Sequence, residues 1–138
     1  MKPNTPEHNI SRVTAGFTLI ELMIVVVVAT ILATLSYPSY IHFVQKADRS
    51  SAQTTLQDWA NRQQVWRADH PVYNAGINPS DTGKYTYSMV SNATSFTLTA
   101  TAIGRQVDDK QDGVSCAILT LRQDGSTGPD GNQPCWGK

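Results

Sequence analysis

The sequence predicts an α+β protein. A long N-terminal helix, membrane-spanning at first and amphipathic beyond, packs on an antiparallel β-meander of three to four strands with a disulfide-closed C-terminal region. Three observations carry this. An apolar run from Phe17 to Tyr37 (FTLIELMIVVVVATILATLSY) has the length of about 20 residues that a helix needs to cross a bilayer. Beyond it, apolar residues recur at helical spacing as far as Trp66, and from Tyr85 onward short runs alternate apolar and polar side chains. The 138 residues leave room for one small core besides the membrane helix. Lys and Arg number 11 and Asp and Glu 11, so the formal net charge is zero and composition implies no basic surface.

Segment 1–16 (MKPNTPEHNISRVTAG) is polar, carries Lys2 and Arg12 against Glu7, and ends in Gly16. A secretory signal places its small-residue cleavage site after the apolar core. Here no A-x-A pattern follows the run, and the small residue precedes it. Glu21 is the run's lone charge, one turn from its start. A carboxylate at the bilayer centre costs roughly 3 kcal/mol, less near an interface, and marks a functional site by default. The run contains no Lys, Arg or His. The remaining cationic partner is a backbone α-amine, which requires the chain to be cut. The expected organisation is a removed leader over 1–16, a membrane and assembly helix over 17–38, and a soluble head over 39–138.

Pro38 interrupts the helical hydrogen-bond ladder. Past it, Ala52, Leu56, Trp59, Gln63 and Trp66 fall on one stripe, with Ile41 and Val44 on or beside it and Asp58, Arg62 and Gln64 opposite. Trp59 and Trp66 read as core packing. The helix should end near Asp69, because Pro71 disfavours helix at His70. Segment 71–84 (PVYNAGINPSDTGK) reads as a long surface loop. Strands are expected over Tyr85–Val90, Ser95–Ala102 and Ser115–Arg122, in a meander, with a short last strand within the turn-rich tail.

The stretch Asp108-Asp109-Lys110-Gln111-Asp112-Gly113 opens like a calcium loop. Lys110 stands at the third position, where an acidic or amide ligand is required, and no Glu follows at the needed distance, so the stretch reads as a solvated hairpin turn. The sequence holds no phosphate loop, no G-x-S-x-G and no H-E-x-x-H. No enzyme, cofactor or metal is expected.

Gly16-Phe17-Thr18-Leu19-Ile20-Glu21 resembles the processing motif of type IV pilins and their relatives. The segment CAILTLRQDG with the closing PCW is similar to the C-terminal region of PilE-like and ComP-like minor pilins. The resemblance covers both ends of the mature chain. It implies that prepilin peptidase cuts after Gly16 and methylates Phe17, and that Glu21 aids subunit assembly. Pro38 stands where the family keeps its helix-breaking proline; Thr30 stands where many pilins have glycine, a departure that bears on local melting of the helix. An exported chain meets an oxidising compartment, so the even cysteine count, Cys116 and Cys135, reads as one disulfide. A zinc site is a poor reading, since His8, His42 and His70 are scattered.

The resemblance implies a type IV pilus subunit of the pilin fold, a minor pilin that assembles into or primes the pilus for adhesion, twitching motility or DNA uptake. Its partners would be other pilins in a helical filament, prepilin peptidase, the inner-membrane assembly platform, and membrane lipid before assembly. It would sit in the inner membrane by a single pass with its head in the periplasm, then in the extracellular pilus. Two alternatives stand beside this. One is a DNA-binding minor pilin, with Arg105, Lys110, Arg122 and Lys138 converging around Trp136 as a stacking platform; six aspartates from residue 81 on (Asp81, Asp108, Asp109, Asp112, Asp124, Asp130) weigh against it. The other is a type II secretion pseudopilin, against which the Cys116/Cys135 tail argues.

Overall fold

The structure, a computed structural model, describes residues 16–74, 76, 78–130 and 133–137. Most of the expected leader, 1–15, and Lys138 therefore lie outside the described residues. The chain divides into two compact units between Tyr37 and Pro38. Helix α1, Leu19–Asp69, ends where Pro71 requires.

In the first unit every described side chain is exposed, and an 18-residue window of mean hydropathy 2.5 has no part buried. Three of its hydroxyls are satisfied within the helix. Thr30 Oγ1 donates to the Val26 carbonyl at 2.7 Å, Thr34 to Ile31 at 2.8 Å and Ser36 to Leu32 at 2.8 Å. This meets the demand that a lipid-embedded segment pair its own polar groups. Thr30 thus sits in regular helix with its hydroxyl bonded back to the preceding turn.

In the second unit α1 buries Gln45, Arg49, Ala52, Leu56, Trp59 and Gln63. The stripe is the expected one, extended N-terminally by Gln45 and Arg49. Trp66 departs from expectation. It is half-buried and stacks on His70 with ring centroids 3.6 Å apart, because α1 ends one turn later and the sheet no longer covers it.

The stripe packs on a four-stranded antiparallel sheet of order β1-β2-β5-β6, made of β1 (Tyr85–Ser91), β2 (Phe96–Ala102), β5 (Ile118–Arg122) and β6 (Thr127–Gly128). Register pairs Tyr87 with Ala100, Leu98 with Leu121 and Ala100 with Leu119. The period of two therefore puts Tyr85, Tyr87, Phe96, Leu98, Ala100, Leu119 and Leu121 on one buried face, against Ala52, Leu56 and Trp59. Loop 71–84 is largely exposed, but Tyr73 is buried and meets Phe96 edge-on, with centroids 4.9 Å apart. Gln63 Oε1 accepts from the Asn74 amide at 3.0 Å and fixes that turn to α1.

The expected third strand is two elements. A small hairpin, β3 (Lys110–Gln111) with β4 (Val114–Ser115), precedes β5. The break falls at Cys116, whose amide donates to the Asp109 carbonyl at 2.9 Å while its side chain is buried. The stretch read as a solvated turn is solvated only at its tip. Asp112 and Gly113 make the turn with φ of 50° and 81°, whereas Asp109 is 1% exposed.

Candidate functional site

Phe17 is 79% exposed and precedes α1. Thr18 Oγ1 accepts from the Glu21 amide at 3.3 Å, so Thr18 caps the helix and Glu21 lies in its first turn, where the helix dipole favours a carboxylate. Among the described residues Glu21 has no ion-pair partner. An exposed apolar helix segment with a carboxylate in its first turn and no counter-charge among the described residues is open to contacts from outside. Pro38, the first residue of the second unit, lies inside α1.

The sequence did not reveal a buried polar network at the start of the head. Arg49 Nη1 donates to Asp109 Oδ1 at 3.1 Å and Oδ2 at 3.0 Å, and Nη2 donates to Gln111 Oε1 at 2.9 Å. Gln106 Nε2 lies 2.9 Å from the Gln45 carbonyl, 3.0 Å from Tyr85 Oη and 3.2 Å from Asp109 Oδ2. Gln45 Nε2 in turn donates to the Arg105 carbonyl at 2.9 Å. Burial pushes the Asp109 carboxyl up from its ordinary range, with the Arg49 guanidinium pulling against it. Burial likewise pushes the Tyr85 hydroxyl up to about 12, opposed by its hydrogen bond from Gln106. The network ties the 3-10 turn η1 (Gly104–Asp108) and β3 to α1.

Of the residues considered for DNA contact, Arg122 and Trp136 both lie against Gly128, whereas Arg105 and Lys110 are set apart from Arg122. Arg105 and Lys110 are exposed on η1 and β3, near Gln45 and Arg49 of α1. Arg122 pairs with Thr97 at the far end of β2, while Ala102, close before Arg105, bonds Ala117. Thr97 and Ala102 are about 17 Å apart at the strand rise of about 3.4 Å per residue. Arg122 Nη1 reaches Ser126 Oγ at 3.5 Å. Trp136 is half-buried against the core and its indole donates to the Gly128 carbonyl at 3.3 Å. Cys116 and Cys135 form a disulfide with Cα atoms 5.6 Å apart. Gln53 Nε2 donates to the Cys135 carbonyl, which joins the closed tail to α1.

A helix apolar and long enough at its start to cross a membrane, which continues as the helix that an antiparallel head packs on, defines the class of this protein. Residues 11–37 match the prokaryotic N-terminal methylation motif, and residues 38–120 match the family model described as type IV minor pilin ComP, DNA uptake sequence receptor. The chain is similar to the fimbrial protein EcpC of Eikenella corrodens, 33% identical over 126 residues that cover 85% of this chain and 81% of that protein. It is similar to the type IV major pilin PilE of Neisseria gonorrhoeae, 30% identical over 119 residues covering 80% and 70%. A type IV pilin from Shewanella oneidensis shares the fold, with a TM-score of 0.55 at 24% identity, over 67% of this chain and 97% of that one. The chain belongs to the type IV pilin family. It is a membrane-anchored pilus subunit, later part of an extracellular filament with other pilins, and a structural protein rather than an enzyme.

Proposed function

We propose that the chain acts as a minor pilin: it is cut between Gly16 and Phe17 by prepilin peptidase, methylated at Phe17, held in the lipid of the inner membrane, and drawn by the assembly platform into a filament that it joins or primes. The observation that carries this is the wholly exposed apolar part of α1 before Pro38, whose lone carboxylate, Glu21, stands in its first turn. The match of residues 38–120 to a minor-pilin model supports the minor role. Intact-mass measurement of the native protein tests the processing; the expected mass lacks residues 1–16 and carries one added methyl group. Quantification in sheared filaments tests the role. A chain that makes up the bulk of the filament is a major pilin, against this reading.

One observation favours a second reading, a receptor for DNA: the head matches a model described for a DNA uptake sequence receptor. The balanced charge and the separation of Arg122 from Arg105 and Lys110 speak for few phosphate contacts. A titration of duplex DNA at several salt concentrations should show weak binding with a shallow salt slope. Tight binding at physiological salt, weakened uniformly by Arg122→Ala, would promote the receptor reading.

A further inference from the structure

We propose that the Pro38-proximal end of the head is a lipid-docking surface, which seats on the phospholipid headgroups of the anchoring membrane before the subunit is assembled. The proposal rests on the family reading of α1 as a membrane anchor. Tyr40 is 64% and Phe43 72% exposed, though both belong to the head unit. Along α1, at about 1.5 Å per residue, they lie roughly 3 and 8 Å beyond Pro38, and Lys46 roughly 12 Å. The polar headgroup zone outside the hydrocarbon core is about 5–8 Å thick on each side. Both rings therefore fall at the depth where aromatic belts sit, and Lys46 lies within about one Debye length of the phosphates.

Two more cations share this end. Arg105 is held there by the bond from Gln45 to its carbonyl, and Lys84 by the 2.8 Å bond that its own carbonyl accepts from Ile103. Lys46, Lys84 and Arg105 are all exposed, and among the described residues none has a carboxylate within 4.0 Å. The nearby acids are half-buried Asp48, exposed Asp108, Asp112, which lines one cavity with Lys46, and Asp81, held on the Tyr87 amide; Asp109 is taken by Arg49. Cations without a carboxylate partner among the described residues, one of them on α1 beside exposed rings, fit phosphate headgroups by charge and by continuity with the anchor.

The test uses the full-length chain in vesicles of phosphatidylethanolamine and phosphatidylglycerol. A spin label is placed at Phe43→Cys, at Val90→Cys on exposed β1, or at Ile24→Cys in the span. The native cysteines are bonded to each other, so each added thiol is labelled alone. Paramagnetic depth measurement should place the Phe43 label at the headgroup level and the Val90 label in water. Adding Lys46→Glu with Arg105→Glu, both at exposed positions, should move the Phe43 label to the aqueous value while near-ultraviolet circular dichroism stays unchanged. A Phe43 label as aqueous as that at Val90 from the outset overturns the proposal. So does an unchanged depth in the charge-reversed protein together with loss from filaments, which would make this face a contact between subunits. A label at Ile24 found in water would instead sink the membrane-anchor reading, and the docking surface with it.

Discussion

Removing one member of a buried ion pair leaves the other charged and unpaired, which costs about 3–5 kcal/mol. Arg49 and Asp109 are 4% and 1% exposed, so Asp109→Ala should destabilise the head by about that much. Arg49→Met combined with Asp109→Leu should cost less, because no charge is left behind; chemical denaturation of the three proteins measures the order. Tyr85 shares the network and gives it a pH signature. Its hydroxyl is held up at about 12 against an ordinary 10.0, so in the alkaline range the folded state keeps a proton that the unfolded chain loses. Stability should therefore fall as pH rises from 10 toward 12, by no more than roughly 3 kcal/mol from this group. Tyr85→Phe should lack that increment, and unfolding curves of both proteins across the range test it. None of this network was read from the sequence, because Gln45 and Arg49 look like solvated residues when taken singly. The signal that could have found them is register: stepping back from Ala52 by three and then four residues lands on Arg49 and Gln45 in the same stripe as Leu56 and Trp59. Thr18 was missed in the same way, although Thr18-x-x-Glu21 before an apolar run is a helix-start signature.

Periodicity placed the long elements well. The apolar run, the stripe through Gln63, the stop at Asp69 and the two strands from Tyr85 and Phe96 are local properties of the chain, written in spacing and in Pro71. The turn of the β3–β4 hairpin was read within 108–113, but the short strands it joins and the break before β5 were not, the break because it depends on a bond formed far away in sequence. Cys116 is turned inward to meet Cys135, 19 residues on, and its amide leaves the ladder for Asp109. The same crosslink stabilises the element it shapes. Closing a loop of that size removes unfolded-state entropy equivalent to about 3 kcal/mol. The double variant Cys116→Ser with Cys135→Ser should lose about that amount of stability. It should also loosen η2 (Gln133–Trp136), which would be left with the bond from Gln53 of α1 to the Cys135 carbonyl and that from the Trp136 indole to the Gly128 carbonyl. Denaturation with and without reductant, and hydrogen exchange over residues 126–137, read the two effects separately.

At the scale of the whole molecule the two units meet different requirements. The head buries its own apolar face and satisfies its polar stripe within unit 38–138. The described residues of the first unit are all exposed, so their packing must come from lipid or from other subunits. Glu21 belongs to that external problem, and its expected partner is the α-amine of Phe17, cationic at neutral pH, on its own or a neighbouring chain. Neutralising the pair would offset part of the desolvation of both groups within an apolar bundle and set the register of one helix against the next. The local cap complicates the test, since a carboxylate in the first turn also stabilises the helix by about 0.3–1 kcal/mol. Two substitutions separate the roles. Glu21→Ala and Glu21→Gln should both leave membrane insertion, head stability and the Cys116–Cys135 disulfide unchanged, because the residues of the head core all lie beyond Pro38. Both should sharply lower the chain's abundance in sheared filaments, and Glu21→Asp, which keeps the charge, should restore part of it. Normal abundance of Glu21→Gln in filaments would show that the charge has no part in assembly and would leave Glu21 with the helix start alone.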